Sequence, residues 1–345
     1  MNHARFVISL DFELFWGVSD TQTIGRYGRN VLGEWQAVPR MLALFRYHRV
    51  SVTWATVGAI LCRDYGEWRS LQSLPCLHGR RPGAAVRAED DRVRQHPELF
   101  FARPLVERIL DTDGQELATH TYSHFYCNDA GATPAQFVDD LARARELATA
   151  LGTGFQTVVF PRNQVSPAFL AVLPEAGIRV YRGNAQHWLY RDGDAVPGRM
   201  AGRIVRYADA VLPLSGSGCR HEQVEGDIVN VPASLFLYPW SALSEPLVAL
   251  RLRRIKQGMT AAARTGALFH LWWHPHNFGV NLGHNMAILG EILRHYRYLA
   301  DTFGMESQCM GAFAAPAGIR PAPARSLSAA DTAARTPALC PRTTP

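Results

Sequence analysis

Short apolar runs alternate with longer amphipathic stretches along most of this chain. Phe6, Val7, Ile8 and Leu10 read as a buried strand. Further strands are predicted at 50–57, 116–119, 157–160, 228–231 and 267–273, with Cys309-Met310-Gly311 as a closing strand. Between them, Val38, Met41, Leu42 and Phe45 follow the i, i+3, i+4, i+7 spacing of one helix face, and Leu105, Val106, Ile109 and Leu110 form a second stripe. Helices are also predicted over 134–150, 166–176, 244–264 and 285–303. Two stretches break this rhythm. Residues 61–100 read as an insertion over the strand ends, and 183–226 as a second irregular segment. From 315 the Pro/Ala/Arg/Ser composition is that of a disordered tail. Strand–helix alternation of this kind predicts an α/β fold with a parallel sheet.

The polar residues that matter sit where the apolar runs stop. Asp11 and Glu13 follow the first run, and strand alternation points both the same way. Two like charges side by side are costly unless a cation or a base role uses them. His120 and His124 follow the third run, spaced so that one helical turn would bring both imidazoles to one ion. Arg162, Asn163 and Gln164 follow the fourth, where an Arg beside a carboxylate would hold it ionised and oriented. The last run passes through His270, Trp272 and Trp273 into His274-Pro275-His276. Alternation puts His270, Trp272 and His274 on one face. His270 reads as a hydrogen-bonded core histidine, and His276 lies beyond the proline in a loop. His274 stands at the strand end, where a functional group is presented. Four strand ends converging on one rim is how parallel α/β folds build sites.

Composition adds exclusions. A 345-residue chain with 47% hydrophobic and 19% charged residues is long enough for one large barrel. The net charge is +6, and four Arg with one Asp in the tail supply half of it. No Lys/Arg block with interleaved aromatics suggests nucleic acid. No run approaches a membrane span, and Asp11 interrupts the position of any export-signal core, so a cytoplasmic protein is expected. The six scattered Cys then read as reduced thiols. Cys127, three residues after His124, reads as a packed small residue rather than a further ligand.

Taken in order, Asp11-Phe12-Glu13, His120 to His124, Arg162 and the late His274 resemble the polysaccharide deacetylase family over residues 5–312. This is the NodB-like, metal-dependent group of carbohydrate esterase family 4. Members usually carry two adjacent Asp where this chain has Asp-x-Glu, and Arg-x-Pro-x-Gly where it has Pro161-Arg162-Asn163-Gln164. The resemblance implies a distorted (β/α)7-type barrel: one catalytic unit over 1–314, with the insertions near 61–100 and 183–226, and the tail over 315–345. It implies a hydrolase of non-peptide C–N bonds that removes an N-acyl group, acetyl first, from an amino sugar of a glycan or glycan precursor. Glu13, His120 and His124 would hold one divalent cation, zinc by default and iron, cobalt or manganese by ligand type. Asp11 would act as base, Arg162 would hold Asp11, and His274 would act as acid. Trp272, Trp273, Asn163 and Gln164 would contact substrate. The alternatives are a hydrolase of another small linear amide, such as a formamide or ureide, and a silent carbohydrate-binding protein. Retention of all six ionisable site residues argues against the silent protein.

Overall fold

In the computed structural model, which describes residues 3–72, 90–185, 205 and 207–314, a curled, mostly parallel sheet runs through the chain. Its strands are β1 (Arg5–Phe12), β2 (Val52–Thr56), β3 (Gln115–Thr119), β4 (Thr157–Val158), β5 (Val180–Tyr181), β6 (Gln223–Glu225), β7 (Ile228–Asn230), β8 (Leu235–Phe236), β9 (Leu268–Trp273) and β10 (Glu306–Ser307). The spatial order is β6-β7-β5-β4-β3-β2-β1-β9-β8, with β10 added to the start of β1; only the β6–β7 pair is antiparallel. Helices between the strands cover the outer face. This is the distorted (β/α) barrel expected from the sequence. Residues 1–314 form one compact unit. The tail from 315, and the parts of the two irregular stretches at 73–89, 186–204 and 206, lie outside the described residues. No helix among the described residues is long and apolar enough to cross a membrane.

Local sequence explains the main elements. β1 is paired on both edges, with β2 and β9 in parallel register, and buried on both faces, and Phe6 to Leu10 are correspondingly continuous apolar residues apart from Ser9. The predicted helix stripe Val38, Met41, Leu42 and Phe45 is wholly buried on the helix Glu34–His48. Thr133 and Gln136 form a reciprocal capping box, with Pro134 at the first turn, and start the helix Pro134–Ala150. The closing strand lies slightly earlier than the sequence suggests. Met310 to Ala314 is a 3₁₀ turn, where half-buried Glu116 accepts the Gly311 N–H at 3.0 Å.

The loop after β9 is held to the barrel wall by two glycines. A Cβ on Gly33 would lie 2.1 Å from the Gly279 carbonyl oxygen, and one on Gly279 would lie 1.8 Å from the Asn30 carbonyl oxygen. Both obstacles are backbone, which cannot rotate away. This contact seats the 3₁₀ turn Pro275–Phe278 against the helices Ile24–Leu32 and Glu34–His48. Gly279→Ala should therefore lower stability by about 1–3 kcal/mol or more, seen as a lower urea midpoint at unchanged slope. An unchanged midpoint would show that the loop is not tied down here.

Candidate active site

Asp11 is the penultimate residue of β1 and Glu13 follows the strand, so both carboxylates reach the same buried point at its C-terminal end. The chain then turns tightly, with Leu14 left-handed at φ 47° and the Trp16 N–H donating to the Glu13 carbonyl. That turn brings Gly17 against the Glu13 side chain. A Cβ there would lie 2.0 Å from Cδ of Glu13, so only glycine leaves the carboxylate in place.

The two histidines are brought together by an equally specific loop. Thr121 and His124 are both left-handed, at φ 63° and 57°. Buried Asp140, from the helix Pro134–Ala150, accepts the N–H groups of Tyr122 and Ser123 and the Ser123 hydroxyl. Thr121 Oγ1 accepts the Phe125 N–H at 2.7 Å. The loop thus closes one turn, and the imidazole centroids lie 5.1 Å apart.

Proton accounting then tests whether this group fits a cation. His120 Nδ1 lies 2.8 Å from the Val159 carbonyl oxygen, which can only accept, so Nδ1 carries the proton. In the neutral ring this leaves a bare Nε2 toward Glu13 Oε2, 3.5 Å away. His124 Nε2 lies 3.1 Å from the same oxygen. One ligand atom from each of the three residues falls within 4.8 Å of the others, all of them buried. A buried carboxylate facing an imidazole lone pair has no favourable neutral pairing, whereas one carboxylate and two imidazoles are a normal donor set for a divalent ion. Cys127 is not part of this group. It packs in the core, and burial pushes its thiol up to about 12.

The partner of Asp11 is not the one the sequence suggests. Arg162 does not reach it. Arg162 and Asn163 both adopt left-handed backbone, at φ 55° and 53°, in the 3₁₀ turn that Pro161 starts after the two-residue strand β4. That turn sends the Arg162 side chain to the rim, where it pairs with Asp20 and lies 4.3 Å over the Tyr126 ring. Arg182, immediately after β5, holds Asp11 instead. Its Nη1 donates to Oδ1 at 2.6 Å and its Nη2 to Oδ2 at 2.8 Å, and the guanidinium lies 4.3 Å over Trp272. Burial opposes a charge on Asp11, but Arg182 together with His120 and His274 more than offsets it, and the carboxyl is held below the usual range. A weak signal for Arg182 is in the sequence: 178–182 reads Ile-Arg-Val-Tyr-Arg, a short alternation ending in an ionisable residue. It was obscured because β5 has only two strand residues.

The remaining expected residues divide cleanly. His274 Nε2 lies 3.7 Å from both Asp11 Oδ2 and Glu13 Oε1, and its ring is partly open to a cleft. That cleft, of ≈ 470 Å³, is lined by Arg162, Asn163, Phe236, Tyr238, Trp272 and His274 among others. Trp272 shares the inward face with His274. Trp273 faces the opposite way, fully buried in a stack with Phe278, so it cannot contact substrate. Gln164 is taken up by the Asn128 N–H. His276 is buried, stacked on His274, with Nδ1 3.8 Å from Glu13 Oε1; burial pushes it down to about 3. His270 lies deeper, against Ser9 and the Val231 carbonyl.

No protein-family model and no curated protein sequence matches this chain. Solved structures do match in fold. A protein assigned as a polysaccharide deacetylase in Mycobacterium smegmatis superposes at TM-score 0.58 and 16% identity, over 91% of this chain and 90% of its own. One so assigned in Pseudomonas aeruginosa PAO1 gives 0.51 at 13% identity, over 89% and 87%. The Puue allantoinase gives 0.50 at 11% identity, over 89% and 86%. The chain has the NodB-like polysaccharide deacetylase fold.

Two measurements check this geometry. Gly17→Ala should displace the Glu13 carboxylate and lower bound divalent metal by about 10-fold or more at limiting metal, while a core reporter such as near-ultraviolet circular dichroism stays native. Full occupancy would show that Glu13 is not a ligand. The second concerns pH. Burial, and then the charge of Arg182, push His270 down to about 3 from 6.5. The unfolded chain takes up a proton below that upper value which the folded chain refuses, so stability falls as pH drops through this window. The slope from this group is about 1.4 kcal/mol per pH unit. Urea midpoints of His270→Gln between about pH 7 and 5 should fall less steeply than wild type, by about one proton. Parallel curves would contradict the assignment.

Proposed function

We propose that this protein is a metal-dependent hydrolase that removes an N-acyl group, acetyl in the leading form, from an amino sugar of a glycan or glycan precursor. The observation that carries this reading is the placing of a cation donor set, Glu13, His120 and His124, directly beside an Arg-held carboxylate, with His274 across the cleft. A divalent ion held there, zinc first by donor type, would polarise the acyl carbonyl and acidify a water. The chain's own residues supply the rest. Asp11 is ionised and aimed by both Nη groups of Arg182, so it can accept the proton of the attacking water. His274 faces the cleft and can deliver a proton to the departing nitrogen, which an amide requires because an amine leaves poorly as its anion. Trp272, Phe236 and Tyr238 offer aromatic surface for a sugar ring, and Asn163 offers hydrogen bonds.

A ureide or another small linear amide is the second reading. The likeness in fold to an allantoinase supports it, since both substrate classes need the same carbonyl activation and nitrogen protonation. The cleft has room for either.

The test is to incubate metal-reconstituted protein with N-acylated sugars, glycans, formamides and ureides, and to follow product mass. Acyl loss from the sugars alone is expected; turnover of ureides alone would replace the first reading with the second. Variants then locate the roles. Asp11→Asn should retain metal and lose turnover by about 10²-fold or more. Arg182→Ala should match it, and Arg162→Ala should lose far less. His274→Ala should cost about 10²–10⁴-fold on an amide but much less on an activated ester, whose leaving group needs no proton. Equal losses on ester and amide would remove His274 as the acid. Full metal content in a His120→Ala, His124→Ala double variant would remove the metal site.

A further inference from the structure

Beneath the Asp11 carboxylate lies a layer of polar side chains that the reaction scheme leaves unused. Ser9 on β1 and His270 on β9 are both fully buried, on adjacent parallel strands. A buried hydroxyl or ring nitrogen without a partner costs about 1–3 kcal/mol, and apolar residues would pack a barrel interior without that risk. Here the pairing of both is complete, and it leads to Arg182.

Valence fixes the direction of this network. His270 Nδ1 lies 3.2 Å from the Val231 carbonyl oxygen, an acceptor, so Nδ1 carries the proton. Its Nε2 is then a bare acceptor, 2.8 Å from Ser9 Oγ, and the Ser9 hydroxyl hydrogen is committed to it. The Ser9 lone pairs are thereby left for Arg182 Nη1, at 2.9 Å. Without His270 the hydroxyl could rotate and turn its hydrogen toward the guanidinium. On the other side, Asn163 Oδ1 accepts from Nη2 at 2.8 Å. All four Nη–H bonds of Arg182 are therefore used: two on Asp11, one on Ser9 and one on Asn163.

We propose that Ser9 and His270 are positioning residues for the base: neutral His270 locks the Ser9 hydroxyl as an acceptor, and Ser9 with Asn163 fixes the plane of the Arg182 fork that aims Asp11. This rests on the hydrolytic reading for its kinetic consequence, but not for the network itself. Networks of this depth work through geometry, and losing one outer partner of a catalytic group typically costs 10–100-fold in activity.

The test has two arms on the full-length, metal-loaded protein. The first needs no substrate. Side-chain ¹⁵N NMR should show His270 as the Nδ1–H tautomer and the Arg182 Nη groups rotating slowly; Ser9→Ala should speed that rotation while leaving metal content unchanged. An Nε2–H tautomer, or unchanged rotation in Ser9→Ala, would overturn the proposal. The second arm uses any N-acyl or ureide substrate the wild type turns over. Ser9→Ala should lower kcat by about 10–100-fold with KM unchanged. His270→Phe should do the same, and His270→Gln, whose amide can still accept from Ser9, should recover most of the loss. The Ser9→Ala, His270→Phe double variant should be no worse than either single. A loss carried by KM, no recovery with Gln, or additive losses would overturn the positioning role. If His270→Phe does not fold, Ser9→Ala and His270→Gln carry the comparison. If wild type turns over none of these substrates, the hydrolytic reading fails while the NMR arm still decides the network.

Discussion

Two carboxylates two residues apart, both buried at the end of β1, set what the rest of the structure has to supply. Left alone, each would cost several kcal/mol in so dry a place, and each would raise the other's cost. The fold solves the problem twice, with different chemistry. Asp11 receives a fixed cationic partner in Arg182, which keeps it charged and single in orientation. Glu13 receives two imidazoles, and the three side chains form a buried group that could hold a divalent ion. The two carboxylates thus sit side by side in different surroundings, Asp11 against a fixed cation and Glu13 against two imidazoles.

Each solution recruits distant parts of the chain. Arg182 comes from just after β5, Asn163 from the turn after β4, Ser9 from β1 and His270 from β9, so Asp11 is held by residues from four parts of the sheet and its loops. His120 is anchored by the Val159 carbonyl, and the His124 loop by Asp140 on a neighbouring helix. Glycine contributes by absence: Gly17 makes room for Glu13, and Gly33 with Gly279 lets the loop after His276 dock by backbone alone. In this arrangement, positions remote from the cleft govern whether the site exists.

The relocated arginine also changes what the rim can do. In this chain, Arg162 is free of the base and stands with Asp20 and Tyr126 at the edge of the cleft, beside the Trp272 wall.

The sequence by itself determined the α/β class with its parallel sheet, the strand ends that form one rim, and most of the ionisable residues displayed there, while the barrel followed from the family resemblance. Those features are local: an apolar run fixes a strand, and its last residues are necessarily presented together at one end of a parallel sheet. Asp11, Glu13, His120, His124 and His274 all meet within a few ångströms for that reason. Alternation also placed Trp272 with His274 and, read strictly, already sent Trp273 to the core. Only the tertiary structure decided which arginine holds Asp11, because Arg162 and Asn163 both take left-handed backbone in the turn after β4 and Arg162 is sent to the rim. It alone decided the Nδ1 partner of His120, a carbonyl 39 residues away, and the partners of His270, which the strand pattern reads as core and which tie it through Ser9 to Arg182. Periodicity specifies which face a side chain is on; hydrogen-bond direction and reach are set by atoms that only the folded chain brings together.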